Sequence, residues 1–204
     1  MNDKNEITVT LAFTGASGAA YGLRLLECLL KANCHVNLVI SKAGQMVLAM
    51  ESELTIPSRP QDAQQFFTKH FNAAPDLLNV YGRDDWMAPM ASGTGCSDAM
   101  VICPCTAGSL SAVAQGASDN LIERAADVTI KEHNKLILLV RETPLSAIHL
   151  ENMLKLARLG VVIMPANPGF YQKPASVNDL VDFMVARILD HLDIQHKLLP
   201  RWGE

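Results

Sequence analysis

Arg141-Glu142-Thr143-Pro144 follows the wholly apolar run 136–140, so two opposite charges stand where a buried strand ends. Charges at the rim of a core are costly unless they are paired or used. Two readings follow. Either an internal Arg–carboxylate pair fixes the loop, or Arg141 holds a phosphate or cofactor oxygen while Glu142 acts beside it as base or orienting group. Arg124 and Lys131 are seven residues apart and so share a helix face. They form either a solvated basic edge or a second anion site, with Glu123, Asp127 and Glu132 placed for simple helix salt bridges. A third group, Gly15-Ala16-Ser17-Gly18, joins an apolar strand to a helical pattern. Its glycines permit close approach of a ligand, and the amides that follow favour polar or anionic groups. The G-x-G-x-x-G spacing of dinucleotide sites is missing. The turn is therefore a loop for some other nucleotide-like cofactor, or only a tight turn.

The elements that must position these residues alternate regularly. Strands are expected from Ile7 to Thr14, His35 to Ile40, Leu77 to Tyr81, Ala99 to Cys103 (stopped by Pro104), Leu136 to Val140 and Val161 to Met164. Helical spacing is expected over Ala19 to Lys31, Lys42 to Leu54 behind an N-cap at Ser41, Gln61 to His70, Thr106 to Ala117, Asn120 to His133, Ser146 to Leu159 and Val177 to Leu192. Such alternation predicts a single domain over residues 1–204: an open parallel α/β sheet, Rossmann- or flavodoxin-like, with helices on both faces. Ligands in that architecture sit at the carboxyl ends of the strands. This directs attention to residues 15–18, Ser41, 106–109, Arg141-Glu142 and 165–171.

Composition narrows the classes. A formal net charge of −4 gives no general attraction to nucleic acid or an anionic membrane. No apolar run approaches a membrane span, and the polar start Met1-Asn-Asp-Lys-Asn-Glu6 is unlike a signal peptide, so the expected compartment is the cytosol. Five cysteines, an odd number, are expected to be free thiols. Cys103-Pro104-Cys105 reads as small apolar residues at a strand end, since the two-residue spacer of metal and redox motifs is absent. The histidines show no metal-ligand spacing, and His149 reads as structural. Asp84-Asp85 is an isolated pair, unlike the repeated aspartates of magnesium-dependent prenyl transfer.

Five stretches then occur together: Gly15-Ala-Ser-Gly-Ala-Ala-Tyr-Gly22, Cys103-Pro-Cys-Thr-Ala-Gly-Ser-Leu110, Ser118-Asp-Asn-Leu-Ile-Glu-Arg-Ala-Ala-Asp127, Arg141-Glu-Thr-Pro-Leu-Ser146 and Pro165-Ala-Asn-Pro-Gly-Phe-Tyr171. In this order they closely resemble the UbiX-type flavin prenyltransferases, over nearly the whole chain. The resemblance implies transfer of a dimethylallyl group from dimethylallyl phosphate, without a metal, to N5 and C6 of reduced FMN. The prenylated FMN would serve a UbiD-type decarboxylase, with ubiquinone synthesis the expected pathway. It also implies a homo-oligomer, often a dodecamer, with FMN at subunit contacts. By position, Gly15, Ala16, Ser17, Ser41, Thr106, Ala107, Gly108, Ser109 and Arg141 match FMN-binding places. Arg124, Lys131, Tyr171 and Arg187 match those holding the donor phosphate. Ser17 and Glu142 fall at places implicated in the chemistry, joined by Glu51 from a neighbouring subunit. Lys131 is also expected to act in catalysis, by stabilising the leaving phosphate.

Trp86, Trp202 and Tyr171 are placed to shelter an allylic cation, or serve as packing. The stretch Ser92-Gly-Thr-Gly-Cys96 keeps the family's small residues but leaves the roles of Gly95 and Cys96 open. Two alternatives remain. One is a flavin-dependent decarboxylase of cysteinyl substrates, which would need a catalytic His that the early turns lack. The other is a non-catalytic flavin-binding regulatory subunit, which would have no use for the cluster Lys131, Arg141, Glu142 and Tyr171.

Overall fold

The computed structural model describes residues 7–200. Among them the six strands are β1 (Thr8–Phe13), β2 (His35–Ile40), β3 (Leu78–Tyr81), β4 (Ala99–Cys105), β5 (Lys135–Val140) and β6 (Val162–Pro165). All pair in parallel, in the order β3-β2-β1-β4-β5-β6. This is the doubly wound Rossmann order, with its switch point between β1 and β4. The helices are α1 (Ala19–Lys31), α2 (Lys42–Glu51), α3 (Pro60–His70), α4 (Ala107–Gln115), α5 (Leu121–Lys131), α6 (Ala147–Arg158) and α7 (Val177–His191).

Alternation along each buried strand feeds two cores. Val9, Leu11 and Phe13 face a cluster that includes Leu25, Leu29, Val185 and Ile188 of α1 and α7. Ala12, Met100 and Ile102 face Leu110, Ala125 and Leu156 of α4, α5 and α6 on the other side. Helix starts are where hydroxyl and amide side chains predict them: Ser41, Thr106, Asn120, Ser146 and Ser176 each accept a first-turn amide. His149 completes a capping box with Ser146, a structural role.

Most element ends move by one or two residues, and two of these differences bear on the site. Pro104 does not stop β4, which continues to Cys105 across a register irregularity against β5. A bulge is where a strand tolerates a residue with no amide to donate. Cys103 and Cys105 are both fully buried there, and burial raises both thiols, Cys105 to about 12. α2 ends at Glu51 rather than Leu54, which leaves the Glu51 side chain free to turn toward α1.

Candidate active site

β1 delivers the chain to the carboxyl edge of the sheet, where Thr14 is buried. Its hydroxyl donates to the Pro104 carbonyl at 2.7 Å and accepts the Thr106 amide at 3.0 Å. One side chain thus ties the turn after β1 to the start of α4. At Gly15 a Cβ would stand 2.4 Å from the Ala43 Cβ, so only glycine lets this turn lie against α2. Gly18 has φ +113°, a left-handed conformation that residues with a Cβ avoid. Ala16 is buried between them and Ser17 is exposed.

The amides opening α1 are already taken. Glu51 Oε2 accepts from Gly18 N at 2.8 Å and Ala19 N at 2.9 Å. The anion at this helix N-terminus is therefore a side chain of the same chain, which places Glu51 beside the Ser17 of its own chain rather than that of a neighbouring subunit. Partial burial pushes the Glu51 carboxyl up. The hydrogen bond from Ser17, the two amides and the nearby Arg141 charge outweigh it and hold the group below its ordinary range.

Arg141 emerges from β5, its amide bonded to the Cys105 carbonyl at 3.2 Å. Its Nε is buried with no hydrogen-bond partner. Glu142 does not supply one, because its carboxylate accepts the Thr143 amide at 3.1 Å. The internal Arg–carboxylate pair is thus not formed. A buried guanidinium donor left open costs free energy until an acceptor reaches it, and a phosphate or flavin carbonyl oxygen would serve. That orphaned donor fits FMN. Beside it Thr106 caps α4, accepting Ser109 N at 2.9 Å and donating to Ser109 Oγ at 2.9 Å. The next amides, of Ala107 and Gly108, lie at the same helix N-terminus, where anions are favoured. Ser41 and Ser109 line one narrow cleft with Arg83 and Asn120.

The remaining candidates lie elsewhere in the chain. α5 ends at Lys131 and β5 begins at Lys135, so Lys131 sits at the amino edge of the sheet. Arg141 lies beyond the far end of β5, roughly 15–20 Å away at ~3.3 Å per residue. Arg124, on the same helix, donates from Nε to the Ala91 carbonyl at 3.0 Å and pairs with Asp127 at 2.8 Å. Tyr171 and Arg187 belong to the opposite, α7 side, where they line a cleft of about 420 Å³ with Asp190 and His196. Tyr171 meets Phe183 edge-on at 5.7 Å, and Arg187 pairs with Asp190 at 2.7 Å. Trp86 is half exposed in the loop after β3, and Trp202 lies outside the described residues.

One chain thus brings together Gly15, Ala16, Ser17, Glu51, residues 106–109 and Arg141, with Ser41 adjoining. It places Lys131, at the amino edge, and Tyr171 and Arg187, on the α7 side, away from them; Arg124 lies in the first turn of α5, next to Glu123 of the Ser41–Ser109 cleft. Sequence reasoning missed Thr14, whose hydroxyl reads as one more strand residue, and Arg83, which no spacing singles out. Among the described residues no group of three His, Cys, Asp or Glu is placed to hold a metal, and no helix is long and apolar enough to cross a membrane.

The Flavoprotein family matches residues 1–189. Flavin prenyltransferase UbiX of Pseudomonas aeruginosa is 59% identical over 96% of this chain and 94% of its own length. A solved structure of AnUbiX (PadA1), in complex with FMN and dimethylallyl pyrophosphate, superposes with a TM-score of 0.86 at 36% identity, covering 98% of this chain and 99% of that one. A dodecameric FMN-dependent Ubix-like decarboxylase from Escherichia coli O157:H7 does so with a TM-score of 0.84 at 36% identity, over 97% and 100%. A Rossmann-ordered sheet, a glycine turn closed by Glu51 and an open arginine donor at its rim therefore have near relatives throughout their length, and the chain belongs to the UbiX-type flavin prenyltransferases of the flavoprotein family.

Proposed function

We propose that the protein joins the dimethylallyl group of dimethylallyl phosphate to N5 and C6 of reduced FMN, and that the prenylated FMN passes to a UbiD-type decarboxylase. The observation that carries this reading is the buried, unpartnered Arg141 Nε beside the Ser17–Glu51 pair. Arg141 and the start of α4 hold FMN, and the glycine turn lets the flavin lie close against the backbone. Reduced FMN, when bound, supplies the nucleophilic ring positions. Ser17 and Glu51 form a hydrogen-bonded pair able to hold or pass a proton at the turn. Glu142 stands next to Arg141 as a second carboxylate.

Breaking the allylic carbon–oxygen bond leaves negative charge on phosphate, and Lys131, Arg124 and Arg187 neutralise it with Tyr171 alongside. Lys131 lies at the amino edge and Tyr171 and Arg187 on the α7 side, so the complete site needs further copies. The dodecameric relative supports assembly. Exposed apolar side chains supply the surface: Met46 and Met50 of α2, Met87, and Ile148 and Leu154 of α6. Anaerobic incubation with reduced FMN and dimethylallyl phosphate, in excess EDTA, should yield a flavin heavier by one five-carbon unit. Unmodified flavin in that assay would overturn the reading.

A further inference from the structure

The stretch Ala91 to Cys96 has no part in the scheme above, yet the structure packs it directly beneath the two cations of α5. Arg124 Nε donates to the Ala91 carbonyl at 3.0 Å. Lys131 Nζ bonds the carboxylate of its neighbour Glu132, and both side-chain ends lie over Gly93. A Cβ added to Gly93 would stand 2.2 Å from Glu132 Oε1 and 3.0 Å from Lys131 Nζ. The stretch is itself braced. Two 3₁₀ turns, Pro89–Ala91 and Gly93–Gly95, form it. A Cβ on Gly95 would come within 2.6 Å of the Pro89 carbonyl oxygen. Asn134, beyond α5, donates to the Ser97 carbonyl at 3.0 Å and lies 3.5 Å from Cys96 Sγ.

We infer that this double turn is the platform that positions the donor-phosphate cations, with Gly93 and Glu132 as positioning residues for Lys131. The inference rests on the proposed role of Lys131 and Arg124 at the phosphate. Arg124 is held from two sides, by the Ala91 carbonyl at Nε and by Asp127 at 2.8 Å, which together fix its head. Lys131 is a flexible point charge, and two constraints replace those bonds: a carboxylate that aims the ammonium and a missing Cβ that leaves room for the pair. The arriving phosphate exchanges with Glu132 as the partner of Lys131. Gly95 keeps the second turn close to the first, and Cys96 Sγ lies against the Asn134 amide.

Gly93→Ala tests this with little risk to the fold, because the added methyl meets only the mobile ends of two exposed side chains. Dimethylallyl phosphate is titrated calorimetrically into the oxidised-FMN protein, where no turnover occurs, for wild type, Gly93→Ala, Lys131→Ala and the double variant. FMN affinity and Tm are measured alongside. Gly93→Ala should bind the donor about tenfold more weakly, the scale of one misaligned charge-assisted contact. FMN affinity and Tm should hold, and the double variant should match Lys131→Ala, because Gly93 acts through that lysine. Wild-type donor affinity in Gly93→Ala, or losses that add in the double variant, would overturn the platform. Wild-type affinity in Lys131→Ala would instead overturn the phosphate site and the platform with it.

Discussion

The glycine turn and the α5 edge are both built to meet anions, but they are finished to different degrees. At the turn the chain's own groups hold one another. Thr14 joins two segments, Glu51 accepts the amides that open α1, and Arg141 Nε is the buried side-chain donor left open among the described residues. Along α5 Lys131 and Arg124 stand partly exposed, Arg124 bound to Asp127 of the helix and Lys131 to Glu132 that caps it. Exposed pairs of that kind contribute little to stability. On the proposed reading the first region is the cofactor cradle. On the same reading the second is part of a site that the carboxyl edge of another copy completes.

The largest way to break the contrast is Lys131→Ala. A unit-charge pair ~4 Å apart is worth about 4 kcal/mol at an effective dielectric of ~20. Only the part that strengthens as the bond breaks accelerates the reaction, so ~2–3 kcal/mol is lost, roughly a hundredfold in rate. Steady-state assays should show that loss with FMN affinity and Tm unchanged. A drop in FMN affinity instead would place Lys131 in the cradle.

Thr14→Val acts on the other region. It keeps the shape but leaves the Thr106 amide without its acceptor, and the Pro104 carbonyl with only the longer 3.3 Å bond from the residue-14 amide, costing about 1–2 kcal/mol of stability. FMN should bind more weakly as α4 shifts from the turn, and Thr14→Ser should restore both. Denaturant melts and flavin fluorescence titration check this; a Val variant as good as Ser would remove the hydroxyl from the account.

Smallest is the effect of Glu51. Its carboxyl is held below the ordinary range when folded, so its contribution is present above the unfolded value of about 4.3 and fades as pH falls through the folded one. A carboxylate at a helix N-terminus is worth ~0.3–1 kcal/mol. Glu51→Gln should cost that much at pH 7 and nothing at the acid end, read from urea midpoints across pH. An equal cost at both ends would mean that charge is not what Glu51 supplies.

The fold was legible because strand and helix periods agree with the caps that start each helix; α1 and β2 fall where the pattern sets them. Pro104 misled because a proline reads as a stop, and only pairing with β5 reveals the irregularity that accommodates it. In the site, types and order pointed to Ser17, Arg141 and residues 106–109, since a parallel sheet sends all its strand ends to one edge. The partner of Glu51 was not legible. It depends on where α2 ends and on an approach between elements 32 residues apart in sequence. Nor does spacing along α5 reveal that the helix delivers Lys131 to the amino edge, away from the residues it resembles in chemistry.

Subunit mixing tests the composite site most directly. Arg141→Ala chains lack the cradle's open donor and Lys131→Ala chains lack the phosphate cation, so each assembly alone should be nearly inactive. Co-assembled in equal amounts with FMN and donor, they should regain activity in about a quarter of the sites, those pairing an intact cradle with an intact lysine of another copy. If the mixture stays as inactive as its parents while sedimentation shows mixed assemblies, both residues serve one site from one chain, and the division between the two regions is wrong.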